Sequence, residues 1–415
     1  MQHMRGGVVL AGATVVAGDE LEVIENASVV VDGGVVIGVE RGKVESDRPT
    51  IDASRLLLIP GLINCHTHLG DAVLKERGFG MPAGTNLLWQ PDGLRHGWMA
   101  AHTREERVDA MRRAVSHMLR LGVVAFADFR EGGVPGVLEL RDASAGLPVE
   151  AIIYARYADV PMYDEATFTL NSAGLPDAFR AELLDALSVA DGFSPVWANE
   201  STDVGLREIA DAVRSVGKRL ATHAGETDIY RQMSLRRTGV GDVERAITHI
   251  RPDYVVHMTD ASDEELRLAI ESETPIVMCA RGQAALGNGF SPYARVRELG
   301  GTIGLGTDNA MFNSPDILAE MDFLGRISRA VTHDPAVIDP RALLAAGTID
   351  AARILGIADR MGSIAPGKEA TFVALDRGSA NLADGTDVLA GLAQRATAAD
   401  IAAVVVKGSI AWGEL

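Results

Sequence analysis

The chain is poor in the features that mark disulfide-bonded, nucleic-acid-binding or membrane proteins. It has two cysteines among 415 residues, Cys65 and Cys279, which excludes a disulfide framework and favours buried, reduced thiols. Its net charge of −18 argues against nucleic-acid binding, which needs a basic surface. No apolar run reaches the roughly 18 residues of a membrane span, and the first residues lack the apolar core of a signal peptide. We therefore expect a cytoplasmic protein that binds neither nucleic acid nor a membrane.

Both ends of the chain carry the pattern of short β-strands. Within the segment 1–58, residues 7–58 alternate apolar and polar positions, and Asp32-Gly33-Gly34 separates two valine-rich runs as a hairpin turn does. Residues 363–415 follow the same pattern in the runs 369–376 and 401–410. We expect the two segments to fold together into one small, composite β-sandwich.

The central residues, 59–362, alternate apolar strands with amphipathic helices. One of these helices begins at the capping box Thr103–Glu106 and ends at Gly122. Eight apolar strands separated by helix-length stretches indicate an α/β fold, specifically a (β/α)8 TIM barrel. The predicted strands lie near 61–68, 121–128, 149–156, 192–199, 219–224, 252–258, 274–280 and 302–308.

Two histidines stand at the predicted end of the first barrel strand. His66 and His68 share a face because side chains alternate along a strand, whereas Cys65 and Thr67 point the other way. Two adjacent imidazoles pack poorly in a core but bind a divalent metal well. Later strand ends, which a barrel brings to the same rim, supply His223, His257 and Asp308. Each of these alone would usually be structural, so the predicted metal site depends on all of them together.

Candidate substrate-binding residues follow several of the predicted strands. The loop at 69–102 is long and is predicted to be a lid, because long loops in compact domains are usually functional. Aromatic side chains can stack on a planar heterocycle, and arginines can pair with a carbonyl or carboxylate. The candidates are Trp89, Gln90, Arg95, His96, Arg130, Glu131, Glu200 and Arg281. Surface salt bridges would explain each arginine equally well.

These motifs resemble the amidohydrolase superfamily and, within it, the branch of cytosine, guanine and S-adenosylhomocysteine deaminases. The resemblance covers essentially the whole chain. The residues that carry it are Pro60–His68, His223–Glu226, Gly304–Asn309 with the downstream Glu320-Met321, Ala351–Gly356 and Gly362–Lys368.

The resemblance implies a role for each matching polar residue. One divalent metal ion per chain, Zn²⁺ or Fe²⁺, would generate a hydroxide nucleophile from bound water. His257 would orient that hydroxide, and Asp308 would accept its proton. Glu226 would be the general acid, while the alternative role is a helix N-cap or first-turn carboxylate stabilised by the helix dipole. The implied metal ligands are His66, His68, His223 and Asp308.

The chain departs from the family pattern at several places. Binuclear relatives have a carboxylated lysine at the fourth strand, but Val196–Ser201 contains no lysine, so a single metal ion is expected. Glu200 in this segment could contact metal, substrate or solvent. Cys279–Gln283 replaces the usual Cys-Pro-x-Ser-Asn and leaves the substrate open, whereas Ala370-Thr371 replaces Ala-Asp in the predicted sandwich.

The predicted function is the hydrolytic deamination of a cyclic amidine in a small-molecule heterocycle, with release of ammonia. Aminated pyrimidines, purines, pterins and nucleosides all remain open as substrates. One alternative is a ring-amide hydrolase of the imidazolonepropionase type, although His223-x-x-Glu226 favours deamination because departing ammonia needs a proton donor. A second alternative is a non-catalytic scaffold barrel. A homo-oligomer agrees with the resemblance, since relatives commonly form one.

Overall fold

The computed structural model describes residues 7–81, 87–88, 93–158 and 171–415. Within these residues the chain forms two β-sheets joined by helices. The strands are β1 (Val8–Ala17), β2 (Glu22–Asp32), β3 (Val35–Arg41), β4 (Thr50–Asp52), β5 (Leu56–Pro60), β6 (Leu62–His68), β7 (Val123–Arg130), β8 (Glu150–Ala155), β9 (Gly192–Phe193), β10 (Arg219–Ala224), β11 (Tyr254–His257), β12 (Ile276–Met278), β13 (Ile303–Leu305), β14 (Asp308–Asn309), β15 (Phe372–Asp376), β16 (Ile401–Val406) and β17 (Ser409–Gly413).

The first sheet is built from both chain ends, as the sequence predicts. Its strand order is β17-β16-β15-β5-β1-β2-β3, with β4 pairing with β1. The two ends join where β15 runs antiparallel to β5 and Val373 pairs with Ile59. The predicted hairpin is confirmed: Asp32 pairs with Val35, and Gly33 and Gly34 both have positive φ angles, 57° and 83°, as a tight two-residue turn requires.

The second sheet is parallel and curled. Its order, β13-β12-β11-β10-β9-β8-β7-β6-β14, follows the chain from β6 to β13, and β14 then pairs with β6. Because all of these strands run in the same direction, their carboxyl ends lie along one rim of the sheet. That rim carries every polar strand-end residue of the predicted metal site.

Helices connect the strands of the parallel sheet and cover it. They include Leu94–Ala100, Arg104–Arg120, Gly133–Ser144, Asp177–Val189, Asp203–Ser215, Asp228–Thr238, Asp242–Arg245, Asp263–Glu271, Ala280–Leu286, Tyr293–Glu298, Ile317–Thr332, Pro340–Ala346, Ile349–Leu355 and, near the end of the chain, Val388–Gln394. The predicted capping box at Thr103 and Glu106 is confirmed in both directions, at 3.2 and 2.8 Å. The apolar side chains Met111, Val115 and Met118 of the helix that it begins, Arg104–Arg120, are buried.

Three of the predicted strands are shorter or less regular than expected. The fourth was predicted over 192–199 but is regular only at Gly192–Phe193, because Pro195 has no N–H for the ladder and the Val196 carbonyl accepts from the His223 ring at 2.7 Å. The seventh ends at Met278, since a helix already begins at Ala280. The eighth is interrupted by residues 306–307, between Ile303–Leu305 and Asp308–Asn309.

The long segment 69–102 contains regular structure that the sequence analysis missed. A 3-10 helix covers Leu69–Leu74 and an α-helix covers Leu94–Ala100. The α-helix is held by Arg95, which pairs with the buried carboxylate of Asp71 at 2.9 Å. A pattern of apolar periodicity could not predict a helix that is fixed by an ion pair with a residue on another element.

No helix among the described residues is both long and apolar enough to cross a membrane.

Candidate active site

Three histidines converge at the carboxyl-end rim of the parallel sheet. His66 and His68 lie on β6 with their ring centroids 4.7 Å apart, and His223 on β10 lies 4.9 Å from His66. Nε2 of His68 is 3.3 Å from Nε2 of His223. Thr67 points away from these rings and donates to Asp128 at 2.9 Å, which is the alternation predicted for this strand.

The hydrogen bonds of these rings fix which nitrogen is free to bind a cation. Nδ1 of His68 donates to the Phe129 carbonyl at 3.0 Å, and Nδ1 of His223 donates to the Val196 carbonyl at 2.7 Å. A carbonyl only accepts, so both Nδ1 atoms carry hydrogen, and each Nε2 atom presents a lone pair when its ring is neutral. Two lone pairs 3.3 Å apart repel each other unless a cation lies between them, and backbone-anchored imidazoles are typical metal ligands.

His66 adds a second indication of a cation site. Its side chain is fully buried, and neither ring nitrogen makes a hydrogen bond with another described residue. Buried polar atoms are rarely left without a partner. Burial lowers the pKa of His66 to about 4, so the ring is neutral and able to donate a lone pair. The donor set therefore fits a divalent metal ion.

Asp308 completes this cluster with a carboxylate. Its Oδ1 lies 3.4 Å from Nε2 of His66 and 3.6 Å from Nε2 of His68. Burial acts to raise its pKa, but contact with His66 and the neighbouring imidazoles outweigh burial and hold the pKa well below its usual range. Its backbone φ is +61°, in the left-handed region that few residues other than glycine adopt.

Gly306 explains how the eighth strand approaches the histidines so closely. A Cβ at this position would lie 2.7 Å from Cβ of His66 and 2.9 Å from Sγ of Cys279. Any side chain would therefore push the strand, and with it Asp308, away from the cluster. The glycine is required by this close approach.

His257 faces the same cluster from the end of β11. Its ring is stacked with His223 at 5.2 Å, and its φ of +84° again marks an imposed backbone conformation. Burial lowers its pKa to about 3, so it is neutral. Nε2 of Gln283 donates to Nδ1 of His257 at 2.7 Å, which leaves the hydrogen of the neutral ring on Nε2, facing Glu226 at 4.0 Å.

Glu226 is a buried carboxyl group beside these rings. It is 4% exposed, and its Oε2 accepts from Nε1 of Trp197 at 3.2 Å. Burial first, and then the negative charge of Asp308, raise the pKa of Glu226 to about 8. The group is therefore protonated at neutral pH and can act as an acid. It does not cap a helix, because the next helix begins at Asp228 after Thr227.

His68, His223 and the three polar groups Asp308, His257 and Glu226 line one cavity at the rim, whereas His66 lies outside its lining. Its lining residues are His68, Leu88, Arg95, Arg156, Val196, Trp197, His223, Glu226, His257, Asp308 and Asn309. The cavity thus combines possible metal ligands, one buried acid and two arginines.

A chain of buried ion pairs forms the support behind this cavity. Arg95 donates to Oδ2 of Asp71 at 2.9 Å and to Oε1 of Glu131 at 2.6 Å. Oε1 of Glu131 lies 3.3 Å from Nδ1 of His68, and Asp71 also accepts from Asn309 at 2.7 Å. Arg95 therefore joins its helix to Glu131, which contacts His68, and to Asp71, which binds Asn309 beside Asp308.

The remaining candidate residues do not line this cavity in the part of the chain that the structure describes. Trp89 and Gln90 lie outside the described residues. His96 lines a separate neighbouring pocket together with Arg130 and Glu131. Arg130 is buried and donates to the Gly136 carbonyl at 3.0 Å, a contact inside the protein.

Glu200 and Arg281 are also held by protein contacts. Glu200 is buried and accepts from the Val196 amide at 2.9 Å, and burial raises its pKa to about 7. Arg281 donates through its backbone N–H to Glu320 at 3.1 Å and through its guanidinium to Ser314 at 3.3 Å. Neither belongs to the residues that line the cavity.

Sequence reasoning missed several residues that the structure brings to the cavity or its supports. Arg156 directly follows the third strand of the parallel sheet and could have been found by examining every strand end. Asp71, Trp197 and Gln283 gave no such signal, because their roles depend on contacts with residues at least 24 positions away.

Comparison with known proteins assigns the chain to a group. The sequence profile described as the amidohydrolase family matches residues 57–411. A protein of Methanothermobacter thermautotrophicus, whose name assigns it provisionally to the aminohydrolases, is 34% identical over 326 residues, which cover 78% of this chain and 80% of that protein. The 5-methylthioadenosine/S-adenosylhomocysteine deaminase of Moorella thermoacetica is 25% identical over 98% of this chain and 90% of its own length.

Solved structures share the fold. An adenosine deaminase from Xanthomonas campestris with bound zinc superposes with a TM-score of 0.84 at 22% identity, covering 97% of this chain and 92% of that chain. The atrazine chlorohydrolase of Arthrobacter aurescens TC1 complexed with zinc has a TM-score of 0.82 at 19% identity, covering 97% and 94%.

Proposed function

The chain belongs to the amidohydrolase family, and on that premise we propose that it is a metal-dependent deaminase of a cyclic amidine. The observation that carries the proposal is the position of Glu226. A buried acid of raised pKa lies 4.0 Å from His257, inside the cavity that contains the candidate metal ligands. Hydrolysis of an amidine to release ammonia needs such a proton donor, because the departing amine must leave as a neutral molecule.

We propose that the cluster holds one divalent metal ion, most simply Zn²⁺, with Fe²⁺ as the alternative. Its ligands would be His66, His68, His223 and Asp308. Nitrogen and carboxylate ligands of this kind suit zinc, and the sequence has no lysine at Val196–Ser201 that could bridge a second ion. When bound, the ion supplies the polarisation that lets water lose a proton at neutral pH.

The protein's own groups divide the proton transfers between them. Asp308 is ionised and takes the proton that the attacking water gives up. Glu226, protonated at neutral pH, gives its proton to a ring nitrogen of the amidine. Its carboxylate then takes the proton of the hydroxyl group newly formed on the attacked carbon and delivers it to the amine, which leaves as ammonia. The proton held by Asp308 afterwards returns to Glu226. His257, with hydrogen on Nε2, donates a hydrogen bond that orients the attacking oxygen. Each role follows from the protonation state of the group before the reaction, which is ionised for Asp308, protonated for Glu226 and neutral with hydrogen on Nε2 for His257.

The substrate class is set only broadly by this cavity. The relatives named 5-methylthioadenosine/S-adenosylhomocysteine deaminases favour an aminopurine nucleoside, while aminated pyrimidines and pterins present the same amidine. Arg95, Arg156 and Asn309 lie on the cavity wall and can bind oxo groups of such a ring. The proposed substrate is therefore a small heterocycle. Separately, we propose that the protein is a cytoplasmic enzyme and that it forms homo-oligomers.

We also propose the finer architecture. The curled parallel sheet would be a (β/α)8 barrel within residues 59–362, closed where β14 pairs with β6. The sheet from the chain ends would be a composite β-sandwich of residues 1–58 and 363–415. The strand Leu56–Pro60 pairs with both β1 and β15, so the proposed boundary between residues 58 and 59 falls within this strand.

The test is ammonia release by the zinc-reconstituted protein. The panel would contain 5-methylthioadenosine, S-adenosylhomocysteine, adenosine, cytosine, guanine and pterin, and His223→Ala would be the control. We expect one class of compound to release ammonia with wild-type protein and none to do so with the variant. Hydrolysis of a ring amide without ammonia would replace the proposal with the imidazolonepropionase-type alternative.

A further inference from the structure

Trp197 and Glu226 belong to different strand ends, yet their side chains meet in the cavity. Nε1 of Trp197 donates to Oε2 of Glu226 at 3.2 Å, and the two residues are 5% and 4% exposed. The indole is held by a stack on Tyr230, with ring centroids 4.5 Å apart and planes inclined by 30°. From this contact we propose that Trp197 is the positioning residue for Glu226 and selects Oε1 as the oxygen that carries the transferable proton.

The selection follows from the chemistry of the indole. An indole N–H donates and has no lone pair with which to accept. In the protonated carboxyl group, the oxygen that faces the indole, Oε2, is most stable as the carbonyl oxygen, because a carbonyl oxygen is a stronger acceptor than a hydroxyl oxygen. The hydrogen of the acid is then placed on Oε1. A rotation of the carboxyl group that exchanged the two oxygens would put an O–H against an N–H and lose the hydrogen bond.

The backbone next to Trp197 serves the metal site as well. The Val196 carbonyl accepts from Nδ1 of His223 at 2.7 Å, so adjacent residues orient a candidate ligand and the acid three positions after it. Pro195 precedes them and limits the backbone freedom of this segment. One short segment therefore sets the distance between the attacking group and the proton donor.

This inference rests on the proposed function, in which Glu226 protonates the amidine. In that step the Oε1–H bond breaks, the electron pair stays on the carboxylate, and a new N–H bond forms on the ring. The indole N–H remains bonded to Oε2 and stabilises the carboxylate that results. No further reactant is needed.

The contact can be tested without a substrate. The chain has four tryptophans, so the indole N–H region of a ¹⁵N–¹H spectrum of the zinc-loaded protein contains few signals, and Trp197→Phe identifies the relevant one. We expect that signal to shift with pH in the wild type and to lose the shift in Glu226→Gln. A chemical shift that does not change with pH in the wild type, or that changes equally in both proteins, would overturn the proposal.

Kinetics test the selection of the oxygen. Trp197→Phe keeps an aromatic ring on Tyr230 but removes the donor, and we expect kcat to fall about tenfold or more with KM changed by less than about threefold. The matched control Trp412→Phe makes the same change on β17 of the first sheet, outside the residues that line the cavity, so its kcat should stay near that of the wild type. Equal kcat in Trp197→Phe and the wild type, with Glu226→Gln inactive, would overturn the positioning role alone. The spectrum decides the contact even if no panel compound releases ammonia.

Discussion

Nε2 of Gln283 lies 2.7 Å from Nδ1 of His257, and this contact decides which nitrogen of the histidine is protonated. Because the amide N–H donates to Nδ1, the ring hydrogen is on Nε2, where it can bond to an oxygen in the cavity. A protonated Nε2 cannot bind a metal ion. The contact therefore separates His257, as a hydrogen-bond donor, from the ring nitrogens of His68 and His223, which present lone pairs.

Replacing Gln283 by glutamate should reverse this arrangement. A carboxylate accepts from Nδ1–H and leaves Nε2 without its hydrogen, so we expect kcat to fall about tenfold to 100-fold. The bound zinc per chain, measured by atomic absorption, should not fall. A Gln283→Glu variant with wild-type kcat would show that the tautomer of His257 does not matter for the reaction.

Removal of a ligand should abolish the effect of zinc on stability. A ligand that binds only the folded state adds about 2.7 kcal/mol at 100 times its dissociation constant, so a chelator should lower the Tm of the wild type by several degrees. His223→Ala should bind less zinc and show little further change with chelator. Thr222→Ser, a change beside the site that keeps the hydroxyl, serves as the control. An equal chelator effect in His223→Ala and the wild type would exclude this residue as a ligand.

The raised pKa of Glu226 predicts how activity depends on pH. The acid is active while protonated, and its pKa is raised to about 8, so kcat should be high below this pH and be lost as pH rises through it. Above about pH 8 the decline should approach tenfold per pH unit. A pH–rate profile of the zinc-loaded protein checks this, with zinc content measured at each pH. A kcat that keeps rising to pH 9 would contradict the role of Glu226 as a proton donor.

Arg95 should matter for stability because its charge is paired inside the protein. Arg95→Met leaves the buried carboxylate of Asp71 without its guanidinium and leaves Glu131 with Arg130 and Arg156 as its arginine partners, which should cost about 3–5 kcal/mol of unfolding free energy. The exposed pair of Arg41 and Glu22, at 67% and 62% side-chain exposure, is the matched control, and Arg41→Met should cost less than about 1 kcal/mol. Urea denaturation measures both. Similar losses would show that the buried pairs contribute no more than a surface pair.

Much of the rim could be predicted from the sequence, because its residues follow apolar strands directly. His66, His68, His223, His257 and Asp308 all stand at strand ends, and parallel strands bring such ends together. The structure places them in two overlapping groups of potential ligands that share His66.

The supports of that rim could not be predicted, since they depend on packing between distant segments. Gln283 approaches His257 because a helix begins at Ala280, the position predicted from the sequence as the last residue of a strand. Asp71 and Arg95 meet across 24 positions in a segment predicted to be an irregular loop. Strand periodicity carries no information about such pairings.

The central claim is most directly tested by comparing ammonia release between wild type and Glu226→Gln, each loaded with zinc to the same content. The substrate is the panel compound that the wild type hydrolyses fastest. We expect release to fall at least about 100-fold in the variant while bound zinc is unchanged. Equal release by the two proteins, or no ammonia from any panel compound with the zinc-loaded wild type, would contradict it.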